Sequence, residues 1–574
     1  MTTSTNGHIR SMEAIAVSSA VRRFFLTIGF FSFSINILTL VVPIYTMQVY
    51  DRFISTKNTD TLFLLSIIAF FALLTMLCLD LVRGRIAIQF SGWLDNYVGI
   101  KLLTQEIRES RLNYQERSSL FLRELQGFRR FISSQELFPI LDALWIPLFI
   151  LVLYLFHPSL ALVALVGATV LLIIAGLQAY KSRELMDSVR ASLNNPMAKA
   201  DSIILNAETI ATMNITSRLL NGWFNIKNRE LPKEINQQNR LVAYSASARF
   251  IRMFFQLLLI AVGGYLVTIG ELSGGGIIAS SIIFAKAMSP LEYLVGGWMR
   301  ARMAQSSYHK ILDVLNRSDS AFLDIEIERP KGRIILKEVS VVIPEKRRRI
   351  LGVINLNIQP GRCVGIIGPS GSGKSTLARI LVGARHPSSG NVSLDNTDLS
   401  AHWGSNLGHH IGYLPQNSDL YYGSIIENIN GTHGPVSKNV TSVTSMLGAQ
   451  NAIKLLEEGF NTIVEPSDKK ISSGLKQQIT IARAIHGNRS LVVLDEPDAN
   501  LDANAEKALI ETIRQLKSQG TTVIIVSHRP TVISITDDLL LLNDGRVTSY
   551  GSRDEILSKI APGMLRLFKT DNES

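Results

Sequence analysis

The chain has 574 residues, of which 47% are hydrophobic and only 18% are charged, and its formal net charge is +11. That length predicts several domains, and so few charges exclude an ordinary soluble protein, in which about 25% of residues are charged. The two cysteines, Cys78 and Cys363, exclude a disulfide framework. The excess of Lys and Arg is compatible with nucleic-acid binding or with cytoplasmic segments beside membrane spans.

Six apolar runs occur in the first half of the chain, each near the roughly 20 residues that cross a bilayer. They cover residues 24–45, 62–82, 137–156, 160–180, 250–269 and 277–294. Residues 1–23, which precede them, lack the apolar stretch and cleavage site of a signal peptide and are interpreted as a cytoplasmic tail. We therefore expect a six-helix transmembrane domain over residues 24–310. The alternative, buried core helices of a soluble protein, does not explain the charge pattern described next.

Basic residues are concentrated in two long segments, 83–136 and 181–249, which follow the second and fourth runs. The turns after the third and fifth runs contain no Lys or Arg. Because Lys and Arg stay on the cytoplasmic side, both termini are predicted to be cytoplasmic. The two segments have helical periodicity and are expected to extend the spans into the cytoplasm. They also explain the basic excess without nucleic acid, and no basic stripe interleaved with aromatics indicates such a partner.

Residues 330–565 alternate strand-like runs with helical segments, which predicts an α/β domain with a mostly parallel sheet. Within it, GPSGSGKST fits the spacing of a phosphate-binding loop between a strand and a helix. Backbone N–H groups of such a loop and the helix N-terminus attract phosphate. The residues expected to bind ATP here are Gly368, Pro369, Ser370, Gly371, Ser372, Gly373, Lys374, Ser375 and Thr376. Lys374 is expected to reach the β- and γ-phosphates, and Ser375 to ligate Mg²⁺.

Four further polar side chains follow apolar runs in the same domain. Asp495 and Glu496 end the run LVVLDE; Asp495 is predicted to hold Mg²⁺ and Glu496 to activate the attacking water as general base. Gln416 is predicted to sense Mg²⁺ and the γ-phosphate, and His528 to hydrogen-bond the γ-phosphate. Each alone is more typical of a cap or a solvated loop. Together with the loop they predict ATP hydrolysis, with Glu496, His528 and Lys374 catalytic.

These motifs make the second domain resemble the nucleotide-binding domain of ABC transporters, and the whole chain resembles exporter half-transporters. The resemblance extends to Ala499–Asp502, similar to the D-loop, and to Ser527–Pro530, similar to the H-switch. It implies an α-helical six-helix transmembrane domain of the ABC exporter type followed by an α/β P-loop nucleotide-binding domain, acting as a dimer with ATP and Mg²⁺. Asp502, Ser472 and Gly474 are implied to contact the nucleotide, the last two through the signature loop of the opposite subunit.

The membrane domain is similar to type I secretion permease/ATPases of the PrtD kind. The stretches that carry this similarity are VPIYTMQVYDR at 42–52, WIP at 145–147, HP at 157–158 and AMSPLE at 287–292. The similarity implies a multi-pass protein of the bacterial inner membrane that exports a protein with a C-terminal signal. It also implies a periplasmic membrane-fusion adaptor and an outer-membrane channel protein as partners. An exporter of lipid, peptide or drug remains an alternative, because the cassette motifs are common to all of these.

The signature loop departs from the family's L-S-G-G-Q. Here the stretch reads Ile471–Leu475, in which Ser472 and Gly474 are kept but Ser473 replaces a glycine and Leu475 replaces the glutamine. The Cβ of Ser473 is expected to crowd the approach to the γ-phosphate. We therefore expect an asymmetric assembly or a slowly hydrolysing homodimer, and a weakly hydrolysing regulatory half of a heterodimer is a further alternative.

Overall fold

The computed structural model describes residues 12–112, 120–317, 328–343, 348–399, 406–431, 438–466 and 470–559. The chain forms two compact units, residues 1–109 with 116–319 and residues 110–115 with 320–574. The predicted domain limits at 310 and 330 remain predictions. Residues 1–11 of the predicted tail and 560–565 of the predicted second domain lie outside the described residues.

The first unit is built from helices. They are α1 Met12–Leu38, α2 Val41–Gln48, α3 Ile54–Thr56, α4 Thr59–Leu112, α5 Leu120–Ser133, α6 Leu137–Asp142, α7 Ile146–Phe156, α8 Pro158–Leu205, α9 Ala207–Thr212, α10 Thr216–Thr268 and α11 Gly274–Arg317. A π-helical turn, Val49–Phe53, joins α2 to α3, and a 3₁₀ turn, Ala143–Trp145, joins α6 to α7. Within the described ranges, six helical stretches are long and apolar enough to cross a membrane, which confirms the predicted six-helix domain.

The helices are longer than the apolar runs. Helices α4, α8 and α10 have 54, 48 and 53 residues, so each continues well beyond the roughly 20 residues that a bilayer covers, as predicted. The first helix, α1, begins at Met12 and not at Phe24, so residues 12–23 of the predicted cytoplasmic tail are helical. The reason is that Ala14, Val17 and Val21 recur at helical spacing and are buried against α4, α5 and α11.

The second unit contains the strands and the shorter helices. The strands are β1 Ile334–Ile343, β2 Arg348–Ile358, β3 Cys363–Ile367, β4 Ser389–Leu394, β5 Thr397–Asp398, β6 Ile411–Leu414, β7 Gly423–Ser424, β8 Ile463–Val464, β9 Leu491–Asp495, β10 Thr522–Val526, β11 Asp538–Asn543 and β12 Arg546–Ser552. The helices are α12 Lys374–Leu381, α13 Ile425–Asn430, α14 Lys438–Met446, α15 Gln450–Lys454, α16 Ser473–Ile485, α17 Ala503–Ser518, α18 Pro530–Ile533 and α19 Arg553–Lys559.

The main sheet has the order β12-β11-β3-β10-β9-β6. All neighbours in it are parallel except β12 and β11, which confirms the predicted, mostly parallel sheet. Strands β3, β9 and β10 are buried along their whole length because hydrophobic clusters cover both faces. A separate antiparallel sheet has the order β2-β1-β4-β5. In such a parallel sheet, ligands bind where the strands end, at the carboxyl edge.

Candidate nucleotide-binding site

The predicted site residues follow four neighbouring strands of the main sheet. At the end of β10, Val526 pairs with Ile366 of β3 and with Asp495 of β9, so these three strands end at the same level. Strand β6 pairs in parallel with β9 on its other side. The segments after these strands carry Gly368 after β3, His528 after β10, Glu496 after β9 and Gln416 after β6. The fold therefore brings the four separate sequence motifs to one edge of one sheet.

The loop between β3 and α12 has a backbone that only glycine adopts easily. Gly368, Gly371 and Gly373 have φ angles of 153°, 81° and 101°. A Cβ on Gly368 would lie 2.0 Å from the carbonyl oxygen of Leu542, and one on Gly373 would lie 2.7 Å from Cδ2 of Leu351. These contacts explain why the pattern requires glycine at both positions. Pro369, Ser370 and Gly371 are exposed at the tip of the loop.

Helix α12 begins at Lys374, directly after this loop. Its N-cap is Gly373, which has no side chain to accept a hydrogen bond from the first turn. The N–H groups of that turn, which includes Ser375 and Thr376, have no intrahelical partner, and the helix dipole adds partial positive charge there. A phosphate group is the ligand that such a helix terminus favours.

Lys374 is held against the loop that precedes it. Its side chain is buried, and Nζ donates hydrogen bonds to the carbonyl oxygens of Gly368 at 2.7 Å and Pro369 at 3.0 Å. Burial lowers the pKa of the Lys374 ammonium, whereas the carboxylates of Glu496 and Asp495 raise it. The ammonium is thus positioned at the loop, with both acids close enough to influence its charge.

Asp495 is the last residue of β9 and is completely buried. Neither of its carboxylate oxygens accepts a hydrogen bond within 3.5 Å in the part of the chain that the structure describes. Burial raises the pKa of Asp495, and the neighbouring Ser375 hydroxyl opposes that rise. A buried carboxylate without hydrogen bonds is unfavourable unless a cation joins it. Carboxylate and hydroxyl oxygens are ligands that suit Mg²⁺, so Asp495 and Ser375 fit this ion.

Glu496 has an unusual backbone conformation. Its φ is 54°, in the left-handed region that is uncommon for a residue with a side chain. The conformation is held because Glu496 N–H donates to the carbonyl of Val526 at 2.8 Å, and Ala499 N–H donates to the carbonyl of Glu496 at 3.2 Å. Backbone strain of this kind is concentrated at functional sites. Here it turns the chain sharply as it leaves the sheet edge.

Gln416 and His528 lie just beyond β6 and β10, and both side chains are exposed. The segment that carries His528 is fixed by its neighbour, because Arg529 Nε pairs with Asp498 Oδ2 at 3.2 Å and the same guanidinium also pairs with Glu506. Sequence reasoning missed this network. The available signal was Asp498, an acid two residues after Glu496 at a position with no predicted role.

The signature residues lie at the start of α16. The Ser472 hydroxyl accepts a hydrogen bond from Leu475 N–H at 3.3 Å and so caps this helix. Ser473 is exposed, whereas the Leu475 side chain is buried in the hydrophobic core. Gln477, on the same helix, donates to the backbone carbonyl of Pro497 at 3.2 Å, which ties α16 to the segment after β9.

Three predicted nucleotide contacts are separate from the loop in this chain. Asp502 caps α17 by accepting a hydrogen bond from Ala505 N–H at 2.7 Å. Within the described ranges, Asp502, Ser472 and Gly474 form no hydrogen bond with residues 368–376. Their predicted role, contact with the nucleotide of an opposite subunit, remains a prediction.

Comparison with known proteins identifies both parts of the chain. The family described as ABC transporter matches residues 351–499, and the family described as ABC transporter transmembrane region matches residues 25–291. The chain is 31% identical over 564 residues to the type I secretion system ATP-binding protein PrsD of Rhizobium meliloti (strain 1021), covering 96% of this chain and 95% of that protein. It is 26% identical to the toxin RTX-I translocation ATP-binding protein of Actinobacillus pleuropneumoniae, covering 94% of this chain and 77% of that protein.

A solved structure has the same fold. A bacterial Atm1-family ABC exporter with ATP bound superimposes with a TM-score of 0.80 at 19% identity, covering 96% of this chain and 99% of the other. This likeness extends over both units of the chain, the six apolar helices and the α/β domain. On this evidence the chain belongs to the ABC transporter family, among the type I secretion ATP-binding proteins, and has both its transmembrane region and its nucleotide-binding domain.

Proposed function

We propose that this chain is the ATP-hydrolysing inner-membrane component of a type I protein secretion system. It pairs with a second half-transporter and exports a protein with a C-terminal signal, through a periplasmic membrane-fusion adaptor and an outer-membrane channel protein. Both termini are cytoplasmic. The observation that carries the proposal is the convergence of the four cassette motifs at one sheet edge, in a chain that matches secretion ATP-binding proteins over nearly its whole length.

The proposed chemistry follows from the positions of the side chains. The loop 368–376 and the first turn of α12 bind the phosphates of ATP through N–H groups, and Lys374 binds the β- and γ-phosphates. Glu496 orients a water molecule and accepts its proton as the water attacks the γ-phosphorus. His528 hydrogen-bonds the γ-phosphate and stabilises the charge that develops on it. These groups belong to one cassette, and the signature loop of the opposite subunit is expected to complete each site.

The same site holds Mg²⁺ in this proposal. Asp495, Ser375 and Gln416 would supply the protein oxygens that hold it. When bound, the ion neutralises part of the charge on the β- and γ-phosphates. The orphaned carboxylate of Asp495 supports this assignment, because a cation satisfies a group that otherwise has no hydrogen-bond partner in the described structure.

Two alternatives are retained for specific reasons. An exporter of lipid, peptide or drug uses the same cassette, and only the similarity to secretion proteins opposes it. A weakly hydrolysing regulatory half of a heterodimer is favoured by Ser473 and Leu475 in the signature loop. It is opposed by Glu496 and His528, which are both kept.

Glu496→Gln tests the proposal. The amide keeps the size of the side chain but cannot accept a proton, so the purified variant is expected to bind ATP like the wild type and to hydrolyse it at least about 100-fold more slowly, the lower range for a general base. Cells carrying it are expected to retain the secreted protein. Glu511→Gln, an exposed position on α17, is the matched control and is expected to change neither quantity. Full export by Glu496→Gln would favour the regulatory alternative instead.

A further inference from the structure

The charged side chains within the six apolar runs form ion pairs, with a single exception among the described residues. Asp80 and Asp142 both pair with Arg83, at 2.7 and 3.3 Å. Arg252 pairs with Glu292 at 2.7 Å. Lys286 is the fifth position, on α11, and no ion pair or hydrogen bond to it occurs in the described part of the chain. An unpaired charge inside a membrane span is costly and is typical of a functional position.

Lys286 cannot reach water by extending toward a membrane surface. It lies in the middle of the apolar run 277–294, about 13 Å along the helix from either end at 1.5 Å per residue. A lysine side chain is far shorter than that distance, so the ammonium stays at the level of the membrane centre. The side chain is nevertheless exposed on the surface of α11. Such a group is stable only beside an aqueous space or a partner outside this chain.

Two further polar groups lie at the same level of α11. Pro290, a buried residue inside this helix, has no N–H, so the carbonyl of Lys286 lacks the hydrogen bond that the fourth residue onward normally donates. Ser289, one turn from Lys286, is exposed, and its hydroxyl makes no hydrogen bond within the described ranges. By contrast, the hydroxyls of Thr75 and Thr169, exposed in other spans, donate to the carbonyl four residues earlier. Polar groups at this depth are tolerated where they are buried in protein or where they line a water-filled cavity. Lys286 and Ser289 are exposed and not buried, which favours the cavity.

A second copy of the chain does not supply the missing negative charge. The carboxylates in its spans, Asp80, Asp142 and Glu292, are already paired within their own chain. The partner of Lys286 therefore comes from outside the spans. A polypeptide in transit carries carboxylate side chains, which form charge-assisted hydrogen bonds with ammonium and hydroxyl groups.

We propose that Lys286 and Ser289 line the export pathway and form a binding site for the carboxylate side chains of the passing polypeptide. The proposal rests on the proposed function, since it presumes a polypeptide cargo. It assigns to the exporter a preference for acidic over basic segments at the centre of the membrane. The position of Lys286 is also unusual for a cation in this chain. Most of the other Lys and Arg residues lie in the segments predicted to be cytoplasmic, whereas Lys286 lies in the middle of a span.

The first experiment asks whether position 286 faces water. Lys286→Cys is made in a Cys78→Ala chain, because Cys78 is exposed and Cys363 is buried. The full chain in lipid nanodiscs is treated with an anionic, water-soluble methanethiosulfonate. The control is Leu172→Cys, at an exposed position of an apolar face in the middle of the fourth apolar run. The thiol introduced at position 286 is expected to react at least about tenfold faster than the thiol at position 172, because only a hydrated thiol ionises. Equal, slow reaction at both positions would overturn the proposal.

The second experiment asks whether position 286 recognises carboxylates. Binding of a fluorescent glutamate-rich peptide and of its glutamine counterpart is measured for the full chain by anisotropy. Lys286→Gln is expected to weaken binding of the glutamate peptide about tenfold, the loss of one charge-assisted contact, and to leave the glutamine peptide unchanged. Lys286→Arg is expected to restore the difference. If Lys286→Gln binds both peptides as the wild type does, Lys286 does not recognise carboxylates and the proposal is overturned. The thiol measurement does not depend on the cargo, so it reports whether position 286 faces water even if the protein exports something other than a polypeptide.

Discussion

At the scale of single residues, the site depends on a few backbone conformations. The left-handed φ angles of Gly368, Gly371 and Gly373 shape the phosphate loop, and that of Glu496 turns the chain out of the sheet. The spacing of the glycines and of Lys374 could be recognised from sequence, because the motif is local. The strain at Glu496 could not, since it depends on a hydrogen bond to Val526, on a neighbouring strand that is distant in sequence.

Two glycines of the loop provide a matched pair of substitutions. The Cβ that Gly371→Ala adds has no neighbouring atom within 4 Å, but the backbone at this position has a φ of 81°. The variant is therefore expected to lower the free energy of unfolding by about 1–2 kcal/mol, the cost of an alanine in the left-handed region. Gly368→Ala adds a Cβ 2.0 Å from a backbone oxygen that cannot move away easily, so we expect a much larger loss together with loss of ATP binding. Thermal unfolding and ATP titration of both full-length variants measure this. Similar small effects at the two positions would contradict the described loop.

Other residue roles were not predictable from a motif. The sequence predicts that Ser472 and Asp502 contact the nucleotide, and in this chain both side chains cap helices. Leu475 stands where the family has glutamine, and its side chain is part of the hydrophobic core. A single sequence does not distinguish these roles, because a cap and a ligand contact use the same hydroxyl or carboxylate, and burial depends on distant strands.

At the scale of elements, the membrane unit is joined internally by a polar network around Arg83. Its guanidinium, nearly inaccessible on α4, donates to Ser32 of α1 at 3.0 Å and pairs with Asp142 at the end of α6. Asn36 of α1 also donates to Asp142, at 3.0 Å. The six apolar runs predicted the spans correctly because their length is a strong signal. Which charges pair between spans was not predictable, since the partners are far apart in sequence.

Arg83→Ala tests this network. The change leaves Asp142 without its cation in a mostly buried site, which is expected to cost about 3–5 kcal/mol of the free energy of unfolding. Arg85→Ala, two residues along the same helix at an exposed position, is the control and is expected to cost less than about 0.5 kcal/mol. Thermal unfolding of the detergent-solubilised chains gives both values. If the two variants unfold alike, the Arg83 pairs do not stabilise the unit.

In the assembled transporter, the signature loop is expected to complete the nucleotide site of the opposite subunit. The exposed side chain of Ser473 stands where the family has glycine, and it lies at the first position of α16. If that side chain crowds the opposite subunit's nucleotide, Ser473→Gly is expected to raise the ATPase rate of the purified homodimer severalfold. Leu475→Gln is the contrasting change, because it places an amide in the core and is expected to lower stability by about 1–3 kcal/mol.

The rate is compared for wild type, Ser473→Gly and the double variant at saturating Mg·ATP. A double variant that is folded but no faster than wild type would contradict the view that the altered signature limits hydrolysis. Stability is measured in parallel, so a loss of rate caused by Leu475→Gln unfolding the core is recognised as such.

ATP binding by the full chain tests whether the loop at the carboxyl edge of the main sheet holds Mg·ATP. Equilibrium binding of labelled ATP is compared for the detergent-purified full chain and for Lys374→Ala, with and without Mg²⁺. The wild type is expected to bind with Mg²⁺ at least about tenfold more tightly than the variant, because the ammonium that faces the phosphates is removed. Equal binding by the two chains, or no binding by the wild type, would contradict the assignment of this site.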